Sequence, residues 1–357
     1  MKFKLEDICS LRKEKISIEK LTIETYISTE NMLPNKAGIV NASALPTIRS
    51  IQAYEKGDIL ISNIRPYFKK IWKAKINGGC SNDILVFKTK KNTDKDFLYY
   101  ILADDAFFIY AMATSKGTKM PRGDKISIMQ YEVPYFDVKI QKKIASILKS
   151  IDEKIEIYKQ INNNLEQQAH ALYCKFLSDK IINGVFKDIV IENKKSKIKV
   201  SEAQDINGEY PFFTSGKRIL EYNSYLVDNR NIYLNTGGNA DVKYYIGKAS
   251  YSTDTWCITT KNNLTNYCYL FLKNIQNEID AIYFEGSALK HLQKKKLLEK
   301  KIYIPNIQET QNLNEILDPL FEIISKNTFQ NRYLSFLRDA LLPKLMSGEF
   351  DISEIDI

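Results

Sequence analysis

The chain is written partly twice. Gly117, Lys125, Ile147, Leu148, Asn162, Leu165, Ala171, Leu172, Lys175 and Ser178 reappear, 169 positions on and without a gap, as Gly286, Lys294, Ile316, Leu317, Asn331, Leu334, Ala340, Leu341, Lys344 and Ser347. That spacing is far beyond the roughly 20–50 residues of solenoid repeats. It describes a duplicated domain with a duplicated helix, whose natural product has two similar ends and a pseudo-two-fold axis. Duplex DNA with two half-sites is a partner that suits such a molecule.

A length of 357 residues allows two or three domains, each with its own core. Apolar content of 44% and charged content of 27% exclude a disordered or fibrous chain. The net charge of +9 and a pI near 9.0 favour a polyanion, either nucleic acid or an anionic membrane surface. A composition rich in Lys, Asn and Ile dilutes that signal. No apolar run reaches the ~18 residues of a membrane span. The opening MKFKLEDICSLRKEK lacks the apolar stretch of a signal peptide. Cys9, Cys80, Cys174, Cys257 and Cys268 are scattered and form no CxxC, which points to reduced thiols in a cytoplasmic protein.

Residues 1–136 read as a first mixed domain. DILISNI (58–64) and NDILVFK (82–88) read as strands with Gly78-Gly79 in the turn between them, and 94–113 carries apolar residues at helical spacing. TSKGTKMPRGDK is a loop by composition. Residues 137–180 hold a long helix, about 139–179. Ile144, Leu148, Ile151, Ile155, Tyr158, Asn162, Leu165, Ala169, Leu172 and Phe176 step by four and three along it, the seam of a coiled coil.

A second mixed domain occupies 181–305, entered through a charged linker, IENKKSKIKVSEAQ. NIYLNTGG, VKYYIG and TWCITTK read as its strands and turns, YCYLFLKNIQNEIDAIYF as its helix and GSALKHLQKKKLLEKK as its basic loop. Residues 306–347 are the second long helix and 348–357 a tail. Its seam is Leu313, Leu317, Leu320, Ile324, Asn327, Asn331, Leu334, Arg338, Leu341 and Leu345. Pro319 is expected to disturb its first turns and Pro343 to kink or end it. Asn162 and Asn331 place a polar residue in each seam, where it fixes register. The simplest arrangement pairs the helices antiparallel.

Catalytic signatures are sparse. There is no phosphate-binding glycine loop, and two histidines, His170 and His291, do not make a His-rich metal site. The best nuclease candidate is Asp280 with Glu299 and Lys301, which could hold Mg²⁺ and a water. Basic patches interleaved with aromatics are the stronger finding. Arg65, Tyr67, Lys69 and Lys70 lie in RPYFKKIWK, and Lys119 and Arg122 in the loop before Lys125. The second domain offers Lys217, Arg218, Asn235, Asn239, Lys290, His291 and Lys294. Cations of this kind contact phosphates, and Arg and Asn on loops read base edges.

The whole chain resembles the specificity subunit of type I restriction-modification systems. QKKIASILKSIDEKIEIYKQINNNLEQQAHALYCKFL is similar to that family's central helix and RDALLPKLMSGEF to its distal one. GDILISNIRPYFKKI with GTKMPRGD, and GEYPFFTSG with GSALKHL, are similar to its target recognition domains. The resemblance implies an α+β fold: two mixed α/β target recognition domains separated by two long helices in an antiparallel coiled coil. It implies a split DNA target with one half per domain, a spacer set by the helices, and no catalysis or cofactor on this chain. S-adenosylmethionine would come with two modification (methyltransferase) subunits, and ATP and Mg with restriction subunits. A stand-alone nuclease and a basic coiled-coil scaffold are the rival readings.

Overall fold

The computed structural model describes residues 2–203, 208–216, 219–286, 289–350 and 352. Two compact units emerge: Met1–Lys154 with Tyr333–Ile357, and Ile155–Arg332.

In the first unit, an antiparallel sheet runs in the order Cys9–Leu11, Ile84–Thr89, Ile59–Ser62, Ile71–Lys73. Its central strand is buried at all four positions because both faces are covered. Side chains alternate along a strand. Ile59 and Ile61 therefore enter one core with Leu85, Phe87 and the helices, while Leu60 enters another with Tyr54, Trp72 and Val86. The helices are α1 (Leu5–Ile8), α2 (Lys95–Ala103), α3 (Asp105–Ala113), α4 (Lys125–Met129) and the start of α5 (Val138–Leu177). A second sheet orders Lys15–Ser17, Ser50–Tyr54, Gly78–Cys80 and Tyr26–Ile27.

The second unit repeats the central sheet strand for strand: Val190–Glu192, Thr255–Thr260, Arg230–Asn235, Val242–Ile246. The division of side chains repeats too. Ile232, Leu234, Trp256 and Ile258 face the helix-side core, and Tyr233 and Cys257 face a core with Phe213 and Tyr251. Its helices are α6 (Thr265–Asn274), α7 (Gln276–Ile282), α8 (Lys294–Leu298) and most of α9 (Ile307–Ser347). Lys125 and Lys294 open α4 and α8, and Val138 and Ile307 open α5 and α9, each 169 residues apart.

The long helices run antiparallel within each unit. In the first, Ile144 and Leu148 share a core with Leu342, Leu345 and Met346, with Leu341 packed against it. Ile151 and Leu334 are also buried. Arg338 binds Asp152 at 2.8 Å, and the Tyr100 hydroxyl donates to the same carboxylate at 2.8 Å. Burial, and then Asp152, push the Tyr100 phenol far above its ordinary range, so it stays a donor. In the second unit, Ala169 and Tyr173 pack with Leu313, Leu317, Phe321 and Ile324, with Leu165 and Leu172 partly buried beside them. Ile155 is buried there as well. Asn162 accepts from the Asn327 amide at 2.9 Å and donates to the Ile324 carbonyl at 3.3 Å. Asn331 is not in that exchange, and its buried Oδ1 lacks a hydrogen-bond partner among the described residues.

Several expectations are corrected. Gly78-Gly79 lies in a strand rather than a turn, and glycine is called for there because a Cβ at Gly78 would stand 2.3 Å from the Thr25 carbonyl. The segment 94–113 is two helices, broken at Asp104, whose extended backbone ends α2 and whose carboxylate caps Ala106. The second domain breaks likewise at Ile275. Ile71 and Trp72 are core residues rather than part of a basic surface. The charged linker begins with a strand of the sheet, Val190–Glu192. Pro319 and Pro343 do not end α9. Both are exposed, and the carbonyls they strand belong to exposed Glu315 and Asp339, within reach of water.

Candidate DNA-reading loops

Each domain carries two loops tied edge to edge at the same place in its topology. In the first domain the loop after Ile59–Ser62 meets the loop before α4. The Arg65 N–H donates to the Pro121 carbonyl at 2.8 Å, Gly123 N–H to Asn63 at 3.1 Å, and Ile64 bridges Arg122. Lys116 and Arg122 exchange backbone bonds at 2.9 Å in both directions. In the second domain the loop after Arg230–Asn235 meets the loop before α8. Gly238 N–H donates to Lys290 at 3.1 Å, Leu292 N–H to Thr236 at 3.0 Å, and Gly237 bridges His291. Arg122 and His291 stand 169 apart and make the equivalent bridge. The sequence contained that correspondence, and only the loop pairing gives it meaning.

The candidate contacts separate by exposure. Tyr67, Lys119, Arg122, Asn239, Lys290 and His291 are exposed. Arg65, Lys69, Lys70 and Lys294 are half-buried. Lys69 is held by Asp105 at 2.7 Å, and Lys70 donates to the Thr29 carbonyl at 2.6 Å, so both anchor the loop to its own domain. Against the opposing effect of its burial, Lys36 and Lys69 keep the Asp105 carboxyl below its ordinary range. The Lys294 ammonium lies 4.9 Å from the Trp256 ring centre, and burial lowers its pKa. Arg122 contacts Asp83 at 3.2 Å yet stays more than half exposed. Asn235 is corrected as a base reader. It is 5% exposed and its amide holds the carbonyls of Ser215 and Asn239 at 2.7 and 3.1 Å, pinning the loop instead. Lys217 and Arg218 lie outside the described residues. Asn63 was missed: its Oδ1 is buried beside Gly123 without a hydrogen-bond partner among the described residues, and residue type alone carried no signal of it.

Both carboxylates of the nuclease reading are otherwise occupied. Asp280 accepts from the Ala240 backbone at 2.6 Å, and Glu299 is paired with Lys187 at 2.9 Å. Among the described residues no three His, Cys, Asp or Glu side chains group as metal ligands. All five cysteines are free thiols, and burial pushes Cys9, Cys80 and Cys257 up to about 12. Among the described residues no helix is long and apolar enough to cross a membrane.

Comparison with known proteins meets this geometry directly. The family model for the type I restriction modification DNA specificity domain matches residues 1–167 and again 182–332. The chain belongs to that family. It is 24% identical over 352 residues to the type I restriction enzyme MjaIX specificity subunit of Methanocaldococcus jannaschii, covering 86% of this chain and 80% of that one. It is 32% identical over 165 residues to the HindI specificity subunit of Haemophilus influenzae, covering 43% and 35% of the two chains. The fold matches the crystal structure of a type I restriction-modification S subunit from M. genitalium with a TM-score of 0.57 at 18% identity, over 97% and 96% of the chains. As a type I specificity subunit the chain is a DNA-recognition component of a restriction-modification complex, not its catalyst. Nothing supports a separate nuclease built on Asp280, Glu299 and Lys301.

Proposed function

We propose that each domain reads one half of a split DNA sequence through its tied loop pair, and that the long helices set the spacing between the halves. The observation that carries this reading is the recurrence of the loop pair, at one place in one topology, on two domains with unlike loop residues. Lysines and arginines around the loops neutralise phosphates and supply salt-dependent affinity. Arg122, Asn239 and His291, which are exposed, would meet base edges. The remaining helix faces carry two modification subunits, which bring S-adenosylmethionine and methylate adenines. Restriction subunits bring ATP, Mg and cleavage. The assembly works in the cytoplasm, where the chromosome is.

The test is long-read mapping of N6-methyladenine in cells holding this chain and its methyltransferase, with and without the gene for this chain. Loss of one split, asymmetric motif is the expected result. Methylation that is unchanged at every motif would overturn the reading.

A further inference from the structure

The turn Pro66–Phe68 is flanked on both sides by unfavourable backbone. Arg65 before it and Lys69 after it both adopt left-handed backbone, each with φ of 50°, a region that costs non-glycine residues energy. Such strain persists only where the surroundings enforce it, and here they do. Asn35 N–H donates to the Phe68 carbonyl at 2.8 Å and Lys36 N–H to that of Lys69 at 2.9 Å. Lys36 and Lys69 both clamp Asp105 at the start of α3.

The result of this bracing is to hold two aromatic rings outward. Tyr67 is 48% and Phe68 38% exposed, with ring centres 4.6 Å apart. Burial would reward rings of this size, so their exposure is not what packing alone selects. Phosphate-seeking cations border them, since the strand-like contact of Arg65 with Pro121 brings the Lys116–Arg122 loop alongside. The second domain has no such feature at the equivalent place: there the loop is Thr236-Gly237-Gly238-Asn239, with no side chain large enough to stack.

We infer that Tyr67 and Phe68 form a rigid aromatic wedge that opens and stacks against one base step in the half-site read by the first domain. The inference rests on the DNA-reading role proposed above. Apolar side chains inserted between base steps unstack and kink a duplex, and pre-formed rigidity keeps the rings from folding back when they do so. The wedge acts on one half-site only, because the second domain has glycines there.

The experiment uses the full chain in complex with its methyltransferase, on duplexes carrying the mapped motif. 2-Aminopurine is placed at successive adenines other than the methylated one, and thymines are probed with permanganate. The wild type should give enhanced fluorescence or permanganate reactivity at one step of the first half-site. The double variant Tyr67→Ala/Phe68→Ala should lose that signal and bind the motif roughly 10-fold or more weakly, the scale of lost base–aromatic stacking. Its discrimination against mismatches in the second half-site, and at the other positions of the first, should be unchanged, which also shows that both domains fold. The variant Phe68→Trp should retain the signal. A signal that persists in the alanine variant, or a wild-type complex that binds its motif with every step stacked, overturns the wedge. Failure of the wild-type complex to prefer its motif over random duplex would instead overturn the DNA-reading role itself.

Discussion

The two recognition domains share a sheet and differ in a loop. Both order their four central strands alike and send alternate side chains of each inner strand to two cores. At the tied loops the solutions part. The first domain stiffens its loop with left-handed Arg65 and Lys69 and external clamps. The second uses Gly237-Gly238 and a buried asparagine, Asn235, that grips two carbonyls. A core residue is constrained on all sides by packing, whereas a loop answers only to what it touches. Duplication therefore leaves the frame recognisable while the loops diverge.

That comparison can be broken at equivalent positions. Leu148 and Leu317 are repeat partners with no exposed surface, one in each unit. Alanine at either should cost about 3 kcal/mol in urea unfolding. Costs differing by more than about 2 kcal/mol would mean that the two seams are not equivalent. Gly117 and Gly286 should separate instead. Gly286 has φ of 137° and a Cβ there would meet the Leu289 carbonyl at 2.3 Å, while at Gly117, with φ of 91°, the nearest atom is 3.5 Å away. Gly286→Ala should lose about 2–3 kcal/mol and Gly117→Ala about 1 kcal/mol, read from thermal melting.

The polar seams differ in kind, and salt should tell them apart. Arg338→Met removes a part-exposed ion pair with Asp152 and should cost about 1 kcal/mol, an effect that shrinks in high salt. Asn162→Ala strands the Asn327 amide and should cost about as much at any ionic strength. The smallest expected effect belongs to the foot of α9 in the second unit. Hydrogen bonds from Lys180, then Tyr303 and the Asn306 backbone, lower the Glu309 carboxyl from 4.5 to about 2. Because the folded value is depressed, its stabilisation is complete above about pH 4.5 and is lost as pH falls toward 2. Unfolding midpoints measured across that window should fall for the wild type and lose this component in Glu309→Gln.

Much of the frame was legible in the sequence because long periodic signals leave little choice. A seam sustained from Ile144 to Phe176 admits only a long helix, and the repeat located its second copy despite two prolines. Local signals failed where packing overruled them. A Gly-Gly pair suggests a turn, yet at Gly78 crowding by Thr25 and Tyr54 calls for glycine in a strand. An unbroken apolar run hides a helix break as small as Asp104, since both halves bury the same kind of side chain. Exposure was the least legible property at the loops: Asn235, Lys69 and Arg122 are all polar loop-edge residues, yet Asn235 and Lys69 are anchors, while Arg122 stays more than half exposed beside Asp83.

The central claim is that two unlike domains on a duplicated frame each read their own half of one DNA target. Its most direct test replaces residues 1–136 with the first recognition domain of another type I specificity subunit and maps N6-methyladenine with the same methyltransferase. The account predicts a new sequence in one half of the motif, with the other half and the spacer length unchanged. A hybrid that changes both halves, or that methylates the original motif, would contradict it.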